Sequence, residues 1–520
     1  MKLAMGQYDA PLNQEQPVFY LDPYLSNIAV FGSPMSGKTT FIKTLLVRLH
    51  ENMEQVPEEN IYLMDFGGNI GDYGHLGNVC ACFDNSNEEN IKRVFRTVEK
   101  RLAENAAKLD SRNYYTVVTK DKENAPVHIF LIIENINAFL ADERYSSYQD
   151  KLQRFCRDGL SKGLTVVITA NDTTGLGRIL TNFGQKVAFD MPNESYFEIF
   201  NSKVAKPMKL PGRGIVNIKS ENYEFQCFMP FPDLDDDSYL RDLVASTGKH
   251  ENKNKMAAFS EDLTKENFSK YCTDENYAEN ANDVITVGLD YYEHKPITVN
   301  IENSRSVAIY GKRQFGKTNL LSLLIEDISR LKPGSRYVFL DDGRKQLVDF
   351  HSGNKKPDGE TVYLTDVANL RDYLTENGYG GLRRSPNAMP RMAEITDTPF
   401  TVFVLQSKML FRNSPDSKYL MTSWFPVMIG DADARNYLFI FSDVGTISEA
   451  EIRVPFNDNI SVAFLLDSIG EFVAEKGNKS VFGEMDAKEL KTEYAKCSVG
   501  DGYIYDTEAD ELQKLKFIKI

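Results

Sequence analysis

Two stretches of this 520-residue chain carry residues whose types and spacing bind phosphate: GSPMSGKT at 32–39 and GKRQFGKT at 311–318, both G-x-x-x-x-G-K-T. In such a loop the glycines let backbone N–H groups turn inward onto phosphate oxygens. The Lys neutralises the outer phosphates, the Thr hydroxyl ligates Mg²⁺, and the helix that follows adds the positive end of its dipole. The candidate nucleotide-binding residues are Gly32, Ser33, Pro34, Met35, Ser36, Gly37, Lys38, Thr39 and Thr40 in the first loop, and Gly311, Gly316, Lys317, Thr318 and Asn319 in the second. Thr39 and Thr318 are the candidate Mg²⁺ ligands, acting through the nucleotide, and the cofactors implied are ATP and Mg²⁺. The second loop is bulkier and more basic, with Lys312, Arg313, Gln314 and Phe315 where the first has Ser33, Pro34, Met35 and Ser36. Whether it binds nucleotide or only keeps the loop shape is left open by the residues.

Hydrolysis needs an acid near that loop. In P-loop ATPases a strand-end Asp anchors Mg²⁺ through water, and a catalytic Glu commonly follows it. Residues 130–139 read FLIIENINAF, which puts Glu134 in the anchoring place as a candidate metal anchor and Asn135 where the catalytic Glu would stand. Asn cannot act as a general base. The corresponding strand of the second half ends in Gln406 and Ser407, with no carboxylate, so no catalytic residue is assigned and hydrolysis is expected to be weak or absent. Asp65 and Asp341 end the preceding strands and read first as turn residues, with the Asp341–Asp342 pair a displaced metal ligand in the alternative. Arg157, Arg178 and Arg213 are candidates for the arginine that completes a neighbour's site in ring ATPases, against the commoner solvated surface role.

The elements that must position these residues occur twice in the same order. An apolar run, the Gly-bounded loop and an amphipathic run form NIAVFGSPMSGKTTFIKTLL at 27–46 and RSVAIYGKRQFGKTNLLSLLI at 305–325. Strand-like IYLMDFGG, HIFLIIEN and LTVVITAND follow in the first half, and YVFLDDGR, FTVFVLQS and YLFIFSDV in the second. Each half closes with a Gly-X-Gly turn before a strand, at 212–218 and 500–506. Apolar strands alternating with helical patterns, such as 89–107 and 145–160, predict an α/β fold: two tandem P-loop NTPase domains, each a mainly parallel sheet flanked by helices. The expected division is a first domain at 1–231, a polar linker at 232–283 with a short helix around 236–245, and a second, degenerate domain at 284–520. The competing view gives the polar segment to the edge of the second domain.

Bulk properties narrow the function. The net charge of −15 argues against a nucleic-acid partner. The cysteines at 80, 82, 156, 227, 272 and 497 lack zinc-ribbon spacing and read as reduced thiols. No apolar run approaches the roughly 20 residues of a membrane span, and the N-terminus lacks the sections of a signal peptide, so the chain is expected to be soluble.

In combination, GQYDAPLNQEQPVF, GSPMSGKTTFIKTLL, YLMDFGGN, LIIENINAFLAD, CRDGLSKGLTVVITA and LPGRGIVNI resemble the second ATPase domain of EssC-type proteins, FtsK/SpoIIIE-family ATPases of bacterial type VII secretion. Residues 288–520 resemble the third and last domain, through GLDYYEHKPITVNI, GKRQFGKTNLL, VFLDDGRKQL and FVLQSKML. The resemblance implies RecA-like, FtsK/SpoIIIE-type domains forming the C-terminal portion of a longer protein that also carries forkhead-associated domains, two membrane spans and a first ATPase domain. It implies a place on the cytoplasmic side of the bacterial cell membrane, a role in protein transport and virulence, and later domains with degenerate catalytic motifs. The partners it implies are small secreted helical-hairpin (ESAT-6-like) or LXG-type substrates and the remaining membrane-anchored secretion machinery. Assembly stays open between a hexamer in the full-length protein and a monomer for this portion. Relatives end the second-domain strand in Asp-Asn, and this chain has Glu134-Asn135 instead. The leading expectation is an ATP-binding module that recognises substrates and regulates a motor located elsewhere. The alternatives are an active FtsK-like DNA translocase and a scaffold that binds no nucleotide.

Overall fold

The computed structural model describes residues 1–52, 60–86, 88–232, 236–246, 256, 259, 262–274, 277, 284–377, 399–411, 414–433, 435–475, 477–483 and 497–520. The chain divides into two units, Met1–Ala258 and Phe259–Ile520. Most of the polar segment 247–283 lies outside the described residues; 236–246 forms a helix, Asp236–Ser246. Its Leu240 packs with Phe231 and Val47 in the first unit, whereas Leu263, Phe268 and Tyr271 pack in the second.

The first unit is built on ten strands: β1 (Leu3–Tyr8), β2 (Val18–Leu21), β3 (Ile28–Phe31), β4 (Asn60–Asp65), β5 (Val79–Asp84), β6 (Ile129–Glu134), β7 (Leu164–Ala170), β8 (Gln185–Phe189), β9 (Arg213–Ile218) and β10 (Glu221–Cys227). They form one sheet in the order β2-β1-β10-β9-β8-β3-β7-β6-β4-β5. From β8 to β5 neighbours run parallel; from β8 to β2 they run antiparallel.

The second unit repeats this plan with β11 (Ile285–Asp290), β12 (Pro296–Val299), β13 (Ser306–Gly311), β14 (Arg336–Leu340), β15 (Glu360–Leu364), β16 (Thr401–Gln406), β17 (Tyr437–Val444), β18 (Val462–Leu466), β19 (Asp501–Asp506) and β20 (Glu511–Phe517). Its order, β12-β11-β20-β19-β18-β13-β17-β16-β14-β15, matches the first strand for strand. The fold is therefore α/β, with the parallel part of each sheet carrying the phosphate loop.

The apolar runs follow from burial on both faces of each sheet, as parallel strands covered by helices require. Along β6, Ile129, Leu131 and Ile133 enter one core while Phe130 and Ile132 enter the other. Along β16, Phe403 and Leu405 point one way and Val402 and Val404 the other. The helices Glu88–Leu109 and Ser146–Asp158 cover the first of these faces, through Phe95, Val98, Leu152 and Phe155. The loop-borne helix Lys38–Glu51 covers the opposite face through Phe41, Ile42, Leu45 and Leu49. Among the described residues no helix is long and apolar enough to cross a membrane, and none of the six cysteines forms a disulfide.

Candidate nucleotide-binding sites

In each unit the phosphate loop leaves the carboxyl end of a central strand, β3 or β13, which is where open α/β sheets place ligands. The two loops have the same backbone path. Met35 and Gln314 are left-handed at φ 63° and 65°, and Gly37 and Gly316 follow at 117° and 101°. Lys38 and Lys317 then open the helices Lys38–Glu51 and Lys317–Leu331. Each lysine turns back over its own loop: Lys38 donates to the carbonyls of Gly32 and, at 3.0 Å, Ser33. Lys317 donates to those of Gly311 and, at 2.7 Å, Lys312. The bulky second loop thus keeps its shape; Phe315 is half-buried against the apolar core, while Lys312, Arg313 and Gln314 are exposed. Met35 in the first loop is 95% exposed.

Gly37 is fixed by a close approach. The Gly212 N–H, in the turn before β9, donates to the Ser36 carbonyl at 2.9 Å. A Cβ on Gly37 would lie 2.7 Å from the Gly212 nitrogen. Only glycine meets both that contact and the positive φ.

The acid of the first site stands beside the lysine. Glu134 ends β6, paired in register with Asp65 at the end of β4. It is 4% exposed, and its Oε2 has no hydrogen-bond partner. Burial, aided by the charge of Asp65 and opposed by the charge of Lys38 and by the Gly67 backbone N–H, pushes its carboxyl above the ordinary Glu value. Burial likewise lowers the Lys38 ammonium, opposed by Glu134. A buried carboxylate oxygen without a donor fits a hydrated cation.

Asp65 does not share that task. Its oxygens accept from the Asn69 N–H at 3.1 Å and the Ile70 N–H at 2.9 Å, closing the turn that the sequence suggested. Asp341 does the same with Gly343, Lys345 and Leu347, and Asp342 is paired with Arg344. Asn135 sits in a left-handed conformation at φ 59°. Its N–H donates to the Thr169 Oγ1 at 2.8 Å, and its Oδ1 is buried without a partner.

The second site has different chemistry. Gln406 occupies the place of Glu134, but its side chain is satisfied within the protein: Oε1 accepts from the Asp342 N–H at 2.7 Å and Nε2 donates to Gln346 at 3.0 Å. Ser407 donates to the Ser442 carbonyl at 3.2 Å. Asn319 donates to the Ile518 carbonyl and accepts from the Ile520 N–H, so its side chain is committed to the last residues of the chain. Thr318 is exposed at the loop, and Thr39 and Thr40 are half-buried.

The sequence reading passed over Asp443. Between Ala308 and Tyr310 of β13, the partner strand β17 runs from Phe441 to Val444, one residue more than its neighbour needs. The pairing of β3 with β7 has no such bulge. Asp443 lies in this bulge at φ 53°. Its carboxylate meets Lys408 at 3.0 Å, and Lys317 and Arg344 at 3.3 Å each. A cavity of about 600 Å³ runs from the loop past Arg344, Gln406, Ser442 and Asp443. Only strand register marks the extra residue, and a single sequence does not display register.

Of the arginines, Arg157 pairs with Asp158, and Arg213 with Asp9 and Glu224; Arg178 is exposed. Among the described residues no cluster of three or more His, Cys, Asp or Glu side chains is placed to hold a metal.

No family model matches the chain. It is 22% identical over 431 residues to the ESX secretion system protein EccC of Geobacillus thermodenitrificans, which covers 79% of this chain and 28% of that protein. It is 23% identical over 363 residues to the EccC of Thermomonospora curvata, covering 66% of this chain and 27% of that one. It is 22% identical to the type VII secretion system protein EssC of Staphylococcus aureus, covering 59% and 22%. The chain thus spans about a quarter of the length of these relatives. Among solved structures, EssC (ATPases 2 and 3) from G. thermodenitrificans superposes at a TM-score of 0.71 with 17% identity, covering 100% of this chain and 96% of that one. T. curvata EccC (ATPases 2 and 3) in complex with a signal sequence peptide superposes at 0.62, also with 17% identity, covering 100% and 93%. The resemblance carried by the motifs therefore holds: the chain is a homologue of the EssC and EccC secretion ATPases, with the fold of their second and third ATPase domains.

Proposed function

We propose that this chain is an ATP-binding module of a type VII secretion ATPase, in which the first loop holds Mg·ATP with little turnover and the second holds nucleotide more weakly. The carrying observation is the first site itself: a fully shaped loop, Lys38 over it, and a buried Glu134 oxygen without a partner beside an Asn where a base would be. There Gly32 to Thr40 would hold the phosphates, Thr39 and Glu134 the Mg²⁺, and the nucleotide would add negative charge beside the buried Lys38 ammonium. Recognition of secreted substrates and regulation of a motor elsewhere are the roles left to a domain that binds without turning over. The signal sequence peptide bound to the T. curvata EccC domains supports a substrate-recognition role here.

The test is thermal unfolding with and without Mg·ATP. A ligand at about 100 times its Kd stabilises the native state by roughly 2.7 kcal/mol, and Lys38→Ala is expected to remove most of that rise. Rapid ATP turnover that Lys38→Ala abolishes would overturn the non-hydrolysing part. No nucleotide-induced shift in the unaltered chain would favour the scaffold.

A further inference from the structure

The second site presents an ammonium that already has an anion. In a phosphate loop the lysine is the group aimed at the outer phosphates, yet Lys317 lies 3.3 Å from the Asp443 carboxylate. The first site has no equivalent. There β3 and β7 pair without a bulge, and the carboxylate near Lys38 is the metal-anchoring Glu134. The bulge in β17 therefore adds an acid on the loop side of the sheet at the same point where Gln406 removes one from β16.

Three cations hold that acid: Lys317, Lys408 and Arg344. Burial works to raise the Asp443 carboxyl, but the hydrogen bond from Lys408 and the charge of Lys317 outweigh it and keep it below the ordinary Asp value. The carboxylate is thus ionised at neutral pH, an internal anion on the loop lysine inside the cavity. Lys317 and Arg344 also line the cavity. Ser442, 6% exposed, lines that cavity, and its buried hydroxyl has no hydrogen-bond partner. Arg313 at the loop adds a further exposed positive charge. The other basic loop residue, Lys312, is engaged by Asp467 at 3.2 Å and by Glu471.

We infer that the second loop takes a nucleoside triphosphate by exchange against Asp443, with Lys317, Lys408 and Arg344 neutralising the phosphates in place of Mg²⁺. This rests on the reading of the second loop as a nucleotide site. Released from Asp443, Lys317 and Lys408 face the incoming phosphates, with Arg344, still paired with Asp342, beside them. Gln406 stands in β16 where β6 has Glu134, so this site lacks the acid that anchors a metal in the first. Binding there is then metal-independent and held down by the chain's own carboxylate.

The experiment uses the full chain with Lys38→Ala to silence the first loop, and titrates ATP by calorimetry, once with EDTA and once with Mg²⁺. Asp443→Asn removes the charge and keeps a residue that accepts the left-handed backbone; Asp443→Gly is a second route with the same tolerance. Both are expected to bind ATP at least about fivefold tighter than the Lys38→Ala parent, the lower end of ordinary coupling between competing groups. The gain is expected in EDTA and in Mg²⁺ alike, and Lys317→Ala should abolish it. Unchanged or weaker affinity on removing Asp443, with Lys317-dependent binding still present, would overturn the exchange and leave the nucleotide site standing. A gain seen only with Mg²⁺ would overturn metal independence. Absence of Lys317-dependent binding in the parent and in both Asp443 variants would remove the nucleotide reading itself, and the exchange with it.

Discussion

Glu134 carries two opposed roles in one side chain. Without ligand it is a buried carboxylate with one oxygen unpartnered, and its raised pKa reports how poorly the ionised form is accommodated. With Mg·ATP present, the same oxygen would gain a hydrated cation. Glu134→Gln is therefore expected to raise the melting temperature of the ligand-free protein slightly and to weaken the Mg²⁺-dependent part of ATP affinity by tenfold or more, as for loss of a charged contact of roughly 1.5–3 kcal/mol. Affinity measured in EDTA should change little. Calorimetry with and without Mg²⁺ separates the two effects, and an unchanged Mg²⁺ dependence would remove Glu134 as the anchor.

At the scale of elements, the first loop is held by its neighbour as much as by its own sequence. The turn before β9 touches the loop through the Gly212 N–H and the Ser36 carbonyl. Gly37→Ala would drive a methyl into the Gly212 backbone at a residue with φ 117°. The expected loss is about 1–3 kcal/mol, visible as a lower melting temperature and a weaker ATP-induced shift. The loop, the strands after it and the Gly-X-Gly turns were legible in the sequence because each is local: a motif, or a run buried on both faces. The antiparallel edge made by β1, β2 and β10 was not, since these short strands alternate only partly and their partners lie far along the chain. Asp443 was hidden for the same reason, as its position depends on a register shift between β13 and β17.

For the molecule as a whole, two copies of one ten-stranded plan carry two unlike sites. Each sheet has apolar cores on both faces, so a change at the carboxyl ends of its strands leaves the scaffold intact. Stability over pH follows from groups inside that scaffold. His128, at the entrance to β6, is enclosed by Tyr24, Tyr114 and Phe130 and contacts Thr165 at 3.0 Å. Burial lowers its pKa from 6.5 to about 3. Above pH 6.5 both folded and unfolded states hold it neutral and it contributes no slope. As pH falls below 6.5 the unfolded chain takes up a proton that the folded one refuses, so stability drops by up to about 1.4 kcal/mol per pH unit. Urea unfolding between pH 7.5 and pH 5 is expected to show this decline, and His128→Gln to flatten it. An unchanged slope in that variant would assign the decline to other groups.

The backbone at Asn135 also decides how readily the first site could regain an acid. A residue at φ 59° with its N–H on Thr169 suits Asn, Asp or Gly. A Glu there would carry roughly 1–2 kcal/mol of conformational strain, whereas Asp would fit at once but is one methylene shorter. Of the two acids, the one this backbone accepts has the shorter reach and the one with the longer reach is strained. A catalytic Glu at residue 135 therefore runs uphill at the main chain, and would call for a second change that lets the residue leave the left-handed region.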